Sequence, residues 1–301
     1  MNLLTLSLGT IVDRALQEVR NQYEVGRPCV RNEGIDVTLN TFTMNVSANI
    51  SDILEFGNEL MLVTAKSGDL VPIYTVVRGY FGTTAIVHVA GEPGLINPTF
   101  TRKSAADGAL RSFSAMQAGD LPILTTAQYT VVADPNDMSS GVLVVALPED
   151  TLDVWYVRHG FEDIPRFRYM EYTPTATYST GKVLALPYGW DVTWKVDVTR
   201  QTAYRWSTHP AAPVEASTIQ VPEGGEYLPS TYASAFLLTN REVSRSEIDR
   251  SEEFGRTVGI QQGVTRSVVR DAWQTFYRKL DEARRQNPPQ PPMRPYVTWA
   301  R

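Results

Sequence analysis

The sequence has very little of the residue types that build metal sites and disulfides. Of its 301 residues, Cys29 is the only cysteine, and the three histidines are His88, His159 and His209. A single cysteine excludes an intrachain disulfide and a thiolate metal cluster. The histidines are far apart, and none has the HxxxH or HExxH spacing of a zinc site. We therefore predict no metal site.

The sequence also lacks a long apolar run and the short motifs of common enzymes. No run approaches the ~18 apolar residues of a membrane-spanning helix. The first sixteen residues have no basic segment before their apolar stretch, so we expect neither a signal peptide nor a membrane contact. GxxxxGK[ST], GxGxxG, GxSxG and an Asp-rich calcium loop are absent. We predict no catalytic residues and no cofactor, and hence a protein that is not an enzyme.

Charge is present but unevenly distributed along the chain, whose net charge is −5. Residues 241–301 contain twelve Lys and Arg against eight Asp and Glu, whereas the remaining residues contain sixteen against twenty-five. A basic C-terminal segment on an acidic body indicates an electrostatically distinct docking element. The alternative is an ordinary solvated helix with charged side chains.

Apolar periodicity divides the chain into helical and strand-like regions. Helical spacing occurs in residues 6–20, 103–117, 229–239 and 264–286. Residues 30–100 and 120–210 instead show alternation and short β-branched runs between turn signals, and the second region is typical of a sandwich or jelly roll. Residues 211–226 are interpreted as a linker.

This order predicts an α+β fold in which N-terminal, middle and C-terminal helices form a helical bundle. Two all-β modules are inserted into it, one small and one sandwich-like or jelly-roll-like. An extended C-terminal tail follows the last helix. The predicted boundaries are an N-terminal helix (1–29), a small β-module (30–102), a helix (103–118), a β-sandwich-like module (119–226), C-terminal helices (227–286) and a proline-rich extended tail (287–301).

The last predicted helix and the tail are the strongest interaction features. The helix has an apolar stripe and a basic end, and the prolines from Pro288 to Pro292 impose polyproline II geometry. At ~3.1 Å per residue, residues 288–301 could reach roughly 40 Å. We expect this element to lie in another subunit's groove or to add a strand to a neighbour's sheet. A disordered terminus is the alternative.

Aromatic residues are dense in the second β-region, where Trp155, Trp190 and Trp194 accompany many tyrosines. They could form a platform for carbohydrate binding. They could equally fill the core of a sandwich and its protein contacts, which is the interpretation we favour.

Three segments resemble neck proteins of tailed bacteriophages. Residues 54–65 (LEFGNELMLVTA), 75–91 (TVVRGYFGTTAIVHVAG) and 97–102 (NPTFTR) are similar to that family's succession G-E-L-M-x-V, V-x-R-G-x-x-G-T-x-A-x-x-H-x-x-G and N-P-x-F-x-R. Residues 272–289 resemble its closing helix and proline-bearing tail. The sequence departs from the family at Gly108, where a residue that favours helix is expected, and in its longer tail.

The resemblance implies a structural virion protein, a head-to-tail adaptor or connector that forms a homo-oligomeric ring of twelve copies under the portal. Its partners would be the portal protein and other neck or tail proteins. It would be made in the host bacterial cytoplasm and reside in the virion neck. Genomic DNA would pass through its lumen without specific binding, which suits an acidic body because a basic lining would bind phosphates.

Portal docking is predicted for residues of the closing helix and the tail: Trp273, Phe276, Tyr277, Leu280, Arg284, Arg285, Pro292, Tyr296, Trp299 and Arg301. The loop motif comprises Arg78, Gly79, Gly82 and His88. Two alternatives remain open at this point: a baseplate or minor tail structural protein, and a carbohydrate-binding module.

Overall fold

The computed structural model describes residues 3–20, 26–68, 71–118, 121–133, 143–164, 167–171, 180–186, 194–204, 217–252 and 262–287, with side chains for all of these except 241–252 and 262–266. This part of the chain contains four α-helices and one 3₁₀ turn: α1 (Leu8–Arg20), α2 (Arg102–Ala118), α3 (Leu228–Glu252), α4 (Gln262–Gln286) and η1 (Tyr80–Gly82).

Sixteen β-strands occur in the same described residues. They are β1 (Leu3–Ser7), β2 (Arg27–Val30), β3 (Thr41–Thr43), β4 (Ile53–Phe56), β5 (Glu59–Ser67), β6 (Ile73–Val77), β7 (Pro93–Ile96), β8 (Ile123–Thr130), β9 (Val132–Ala133), β10 (Leu143–Leu147), β11 (Thr151–His159), β12 (Glu162–Asp163), β13 (Arg168–Glu171), β14 (Lys182–Leu186), β15 (Lys195–Thr202) and β16 (Thr218–Pro222). They pair into four sheets, with strand orders β1-β16, β13-β14-β10-β9, β12-β11-β15-β8 and β2-β7-β4-β5-β6-β3.

The predicted fold class, a helical bundle with two inserted β-modules, is wrong. The molecule is mostly β, with four sheets, a curled half-barrel and only four helices among the described residues. The core that contains the helices is itself mixed. The strand pair β1-β16 contributes Ile219 and Val221 to it. Strands separated by more than two hundred residues therefore complete this core, and apolar periodicity carries no information on such pairing.

Two local expectations were wrong at the strand pair β1-β16. The segment 211–226, interpreted as a linker, contains β16, which pairs antiparallel with β1 from Leu3↔Pro222 to Ser7↔Thr218. The first helix begins at Leu8, and the residues before it belong to β1. The short LLTLS strand runs directly into the helix without a turn signal, so no local pattern separates the two elements.

The six-stranded sheet curls until its two edge strands meet. Arg31 and Met44, which follow β2 and β3, form an isolated antiparallel bridge. Backbone bonds from Asn32 N to Thr43 O and from Asn45 N to Val30 O, each 3.0 Å, join the edges. The inside is an apolar core that includes Phe42, Phe56, Met61, Tyr74 and Ile96. This unit is called the curled sheet below.

The two four-stranded sheets share a second core. Side chains of β10 and β14 from one sheet and of β11 and β15 from the other belong to one buried cluster, including Val145, Leu184, Val157 and Val198. All strand pairings in these sheets are antiparallel. The strand-rich character predicted for residues 120–210 is thus present as a pair of facing sheets.

Helix α3 lies between the other helices and contacts α1, α2 and α4. It packs closely on α2 at Gly108, where an added Cβ would stand 3.0 Å from Ala233 Cα and 3.0 Å from Phe236 Cδ1. Glycine at this position therefore has a packing reason, because an added methyl group would force Ala233 or Phe236 of α3 to shift.

Candidate functional site

The loop motif converges on one buried carboxylate, Glu59, at the start of β5. The Arg78 guanidinium donates from Nε to Glu59 Oε1 at 2.6 Å and from Nη2 to Oε2 at 2.7 Å. His88 Nε2 lies 2.9 Å from Oε2. The backbone amides of Gly79 and Ile86 donate to the same carboxylate at 3.1 and 3.0 Å. Four residues of the segment 78–88 are therefore held by one side chain of β5.

Arg78 uses all of its donors in this arrangement. In addition to the two bonds to Glu59, Nη1 donates to the carbonyls of Asp36 (2.7 Å) and Leu39 (3.0 Å), and Nη2 donates to the carbonyl of Ile86 (2.5 Å). A guanidinium has five N–H groups in a planar fork, and here five bonds are made. The loop, β5 and residues 36–39 are thereby connected in a single network.

Two carboxylates flank the imidazole of His88. Its Nδ1 lies 3.0 Å from Glu92 Oε2, opposite the contact of Nε2 with Glu59. Burial alone would raise the pKa of Glu59, but the bonds from Arg78, His88 and the two amides outweigh it and lower the pKa to about 2. Glu59 is therefore an anion at neutral pH, and the network is an ion cluster inside the curled sheet.

Arg31 is a member of the cluster that the sequence did not reveal. Its side chain is completely buried, donates from Nη2 to Val89 O at 2.9 Å and lies 3.6 Å from Glu92 Oε2. The guanidinium lies over the rings of Phe42 and Phe56, with centroid distances of 5.7 and 5.2 Å. No described residue accepts from its Nε or Nη1. A lone arginine beside a short strand gives no sequence signal of burial, since most arginines are exposed.

The network presents an apolar loop to solvent. Gly79 and Phe81 have φ of 63° and 51°, so the chain turns sharply through η1, and Phe81 is 64% exposed. Val87 and Val89, on either side of buried His88, are 67% and 66% exposed. A bulky residue at positive φ is strained, and strain of this kind persists where the surroundings impose it. The loop therefore projects exposed apolar side chains from a rigid base.

The NPTFTR segment joins the curled sheet to the helices. Asn97 accepts from Ile53 N with Oδ1 (2.8 Å) and donates with Nδ2 to Asp52 (2.9 Å), which ties the segment to β4. Phe100 is buried in the core that contains the helices. Arg102 then begins α2 and binds Asn58 from Nε at 2.9 Å and Asp13 of α1 from Nη1 at 2.7 Å. The motif residues thus connect two cores.

Glu55 of β4 is the carboxylate of this junction. It accepts a hydrogen bond from the backbone N–H of Arg102 at 2.6 Å and lies 3.5 Å from Arg20 Nη2 of α1. Burial raises its pKa to about 7, although the bond from Arg102 and the nearby guanidinium charges oppose this. The side chain caps the N-terminus of α2 from the neighbouring sheet.

The structure separates the predicted docking residues of α4 into two groups. Phe276 and Leu280 are buried in the chain's own core, and Trp273 donates from Nε1 to Thr239 of α3 at 3.0 Å. The apolar stripe of α4 therefore packs on α3 of the same molecule. Tyr277 is 58% exposed, and Arg285 is also exposed.

Of the other predicted docking residues, only Arg284 lies within the described part of the chain. Arg284 is half-buried and lies 3.7 Å from Asp281. Pro292, Tyr296, Trp299 and Arg301 lie outside the described residues. Portal docking by these residues stays a prediction.

The aromatic residues of the facing sheets do not form an open platform in the described part of the chain. Trp155 is buried, and the ring of Trp194 stacks on that of His159 at a centroid distance of 4.1 Å and an interplanar angle of 4°. Trp190 lies outside the described residues. The interpretation of these aromatics as core and contact residues is the one that the geometry favours.

No protein-family profile matches the sequence, and no curated protein matches it. Among the described residues, no cluster of His, Cys, Asp or Glu side chains is arranged to hold a metal ion, and no helix is long and apolar enough to cross a bilayer.

Proposed function

We propose that the chain is a structural virion protein of a tailed bacteriophage, a head-to-tail adaptor that forms a ring under the portal and links the capsid to the tail. The observation that carries the proposal is the convergence of the motif residues. Glu59, Arg78, Gly79 and His88 form one ion cluster, and Asn97 to Arg102 form the junction with α2.

This arrangement suits a connector better than a catalyst. The carboxylate of Glu59 is fully engaged by Arg78, His88 and two amides, so it has no free lone pair directed at a substrate. Its lowered pKa makes it a poor general acid or base near neutral pH. A rigid base under an exposed apolar loop is what a subunit needs in order to contact its neighbours in an assembly.

The exposed side of α4 and the tail that follows it are the proposed portal-docking element. Tyr277 and Arg285 are exposed on α4. An arginine and a tyrosine at the centre of an interface are typical hot-spot residues. The basic charge of this end would steer it toward an acidic partner surface.

Binding to tailless, DNA-filled particles of the same phage tests the proposal. Purified chain is mixed with particles that contain the portal but lack this protein, and the bound copies are counted after sedimentation. We expect saturable binding at a ring stoichiometry and a loss of about tenfold or more in affinity for Tyr277→Ala or Arg285→Ala. Arg270→Ala, which removes an exposed arginine near the other end of α4, is the matched control.

One result would contradict the adaptor role, and another would contradict only the part that the α4 surface plays in it. Absence of binding to portal-bearing particles, together with binding to isolated tails, would favour the baseplate or minor tail alternative. Equal affinity for all three variants would mean that the chain binds the particles through a surface other than the exposed side of α4.

A further inference from the structure

An open groove lies between α1, α3 and α4. Its volume is about 560 Å³. Thr231, Ser234 and Leu238 of α3 form its floor, and residues from the end of α1 and from one side of α4 form its walls. The groove is distinct from the ion cluster of the curled sheet, and its apolar lining is continuous with the core that contains the helices.

The lining of the groove suits an extended segment with apolar and cationic side chains. Val19, Leu238, Val268 and Ala272 supply apolar surface. Glu18 and Asp271 add two carboxylates, both on exposed residues, on opposite walls.

The cation among the lining residues is already engaged. Lys279 donates to Thr231 Oγ1 at 2.9 Å and lies over the ring of Tyr227. It therefore contacts neither carboxylate directly. The described lining residues carry two carboxylates and one ammonium group, and outside the lining the exposed Arg270 lies 3.8 Å from Asp271.

The C-terminal tail starts after Asn287, which follows Lys279, the last α4 residue of the groove lining, by eight residues along the chain. The chain bends at Asn287, directly after α4, and Asn287 Nδ2 donates to the carbonyl of Glu223 at 2.7 Å, at the base of α3. Residues 288–301 contain two arginines, Arg294 and Arg301, and no acidic residue. They also contain the apolar and aromatic residues Met293, Tyr296, Val297 and Trp299. The tail is thus complementary to the groove in charge and in apolar character.

The lengths of the two elements also match. Asp271 lies sixteen residues before Asn287 on α4, which is about 24 Å along a helix. The seven residues from Pro288 to Arg294 span about 22 Å in polyproline II geometry. A tail that turns back along α4 would therefore bring Arg294 level with Asp271 and would place the aromatic residues beyond it, toward Val268.

We propose that residues 288–301 bind in the groove between α1, α3 and α4 of their own chain and act as a latch. A covalently attached tail has a high effective concentration at a nearby site, which favours the same chain over a second copy. Any docking of the tail on another molecule would then require its release from the groove. The inference does not rest on the proposed function, because the latch is a property of the isolated chain.

Disulfide trapping in the full chain tests the latch. Ala272→Cys in the groove is combined with Met293→Cys in the tail, and oxidation by glutathione disulfide is followed by mass spectrometry under non-reducing conditions. The native Cys29 does not interfere, since it is buried and its pKa is raised to about 11. We expect an intramolecular disulfide in the monomer.

The matched control places the first cysteine on the opposite side of α4, as Gln274→Cys with Met293→Cys. Gln274 is exposed, so this variant tests the reach of the tail without the groove. We expect trapping to be about tenfold slower in the control. Adding Glu18→Gln and Asp271→Asn to the groove pair should slow its trapping several-fold.

Two outcomes would overturn the latch. Equal rates for the groove and control pairs would mean that the tail samples the surface without binding in the groove. Disulfides formed only between two chains would assign the groove to the tail of a second copy instead of the chain's own.

Discussion

The backbone N–H of Arg102 donates to Oε1 of Glu55 at 2.6 Å, so the first turn of α2 is capped by a carboxylate from a strand of the curled sheet. The bond joins elements 47 residues apart. Because Glu55 also lies 3.5 Å from Arg20 of α1, one side chain connects the sheet to two helices. Glu55 therefore contributes to the junction between the curled sheet and the helices, together with the bonds that Arg102 makes to Asn58 and Asp13.

The first prediction concerns pH. Glu55 has a pKa of about 7 in the fold and 4.5 when unperturbed, so its contribution to the free energy of unfolding is fully present below about pH 4.5 and is lost as the pH rises through about 7. The loss is on the order of 3 kcal/mol. Glu59 affects the pH dependence of stability in the opposite direction. Because its pKa is lowered to about 2, its contribution to the free energy of unfolding is lost as the pH falls from about 4.5 through 2.

Urea unfolding between pH 2 and 8 checks this prediction. We expect a maximum of stability near pH 4.5 to 5. Glu55→Gln should remove most of the decline between pH 5 and 8, whereas Glu162→Gln, at an exposed position in β12, should leave it unchanged. A decline that persists in the Glu55 variant would show that another group causes it.

The second prediction concerns the ion pair of Arg78 and Glu59. Arg78→Lys keeps the charge but provides three donors in place of the planar five, so at least two of the five bonds to Glu59 and to the carbonyls of residues 36, 39 and 86 are lost. Because each lost bond leaves a buried polar group without its partner at a cost of about 1–3 kcal/mol, we expect Arg78→Lys to lower the free energy of unfolding by about 2 kcal/mol or more.

Arg158→Lys is the control for this change. Arg158 pairs with Asp163 at the surface, where both side chains are more than half exposed, and such pairs contribute less than about 1 kcal/mol. The two variants are compared by the midpoint of urea unfolding. Similar midpoints would mean that the buried network is not a major source of stability.

The third prediction uses two glycines of the same loop. Gly79 has φ of 63°, and a Cβ added there would lie 2.8 Å from Thr83 O. Gly82 has φ of 72° but nothing within 4 Å of its Cβ position. Gly82→Ala should therefore cost only the left-handed backbone strain of about 1 kcal/mol, and Gly79→Ala should cost about 1–2 kcal/mol more. Thermal unfolding measures both, and equal melting temperatures would refute the steric argument.

The fourth prediction concerns Gly108 in α2. Alanine has a helix propensity about 1 kcal/mol better than glycine, but its methyl group would meet Ala233 and Phe236 of α3 at 3.0 Å. Overpacking of this kind costs about 1–3 kcal/mol, so we expect Gly108→Ala to destabilise the protein. Ser114→Ala, at an exposed position of the same helix, should be neutral or slightly stabilising. A stabilised Gly108 variant would show that α2 and α3 can separate at low cost.

Local patterns predicted α1, α2 and α4 closely, whereas the helical spacing of residues 229–239 indicated less than half of α3, which extends from Leu228 to Glu252 through a polar segment without an apolar stripe. The spacing of Ile11, Val12, Ala15 and Leu16 indicated α1, and all four residues are buried. The motif residues Arg78, Gly79 and His88 were recognised as a unit, and they do share one network. Glu59 is the glutamate of the G-E-L-M pattern, but the spacing could not reveal that it is their common partner, because contacts between separate strands and loops leave no periodic pattern.

The sequence by itself determined the elements that depend on neighbouring residues: the apolar faces of the helices, the alternating strands, the tight turn at Gly79 and the proline-rich end of the chain. Only the tertiary structure decided that β1 pairs with β16, that α4 packs its stripe on α3, and that Arg31 and Glu59 lie inside the curled sheet. Helical and strand periodicities arise from contacts over a few residues. Pairing of distant strands and burial of charge depend on which surfaces meet after the chain has collapsed.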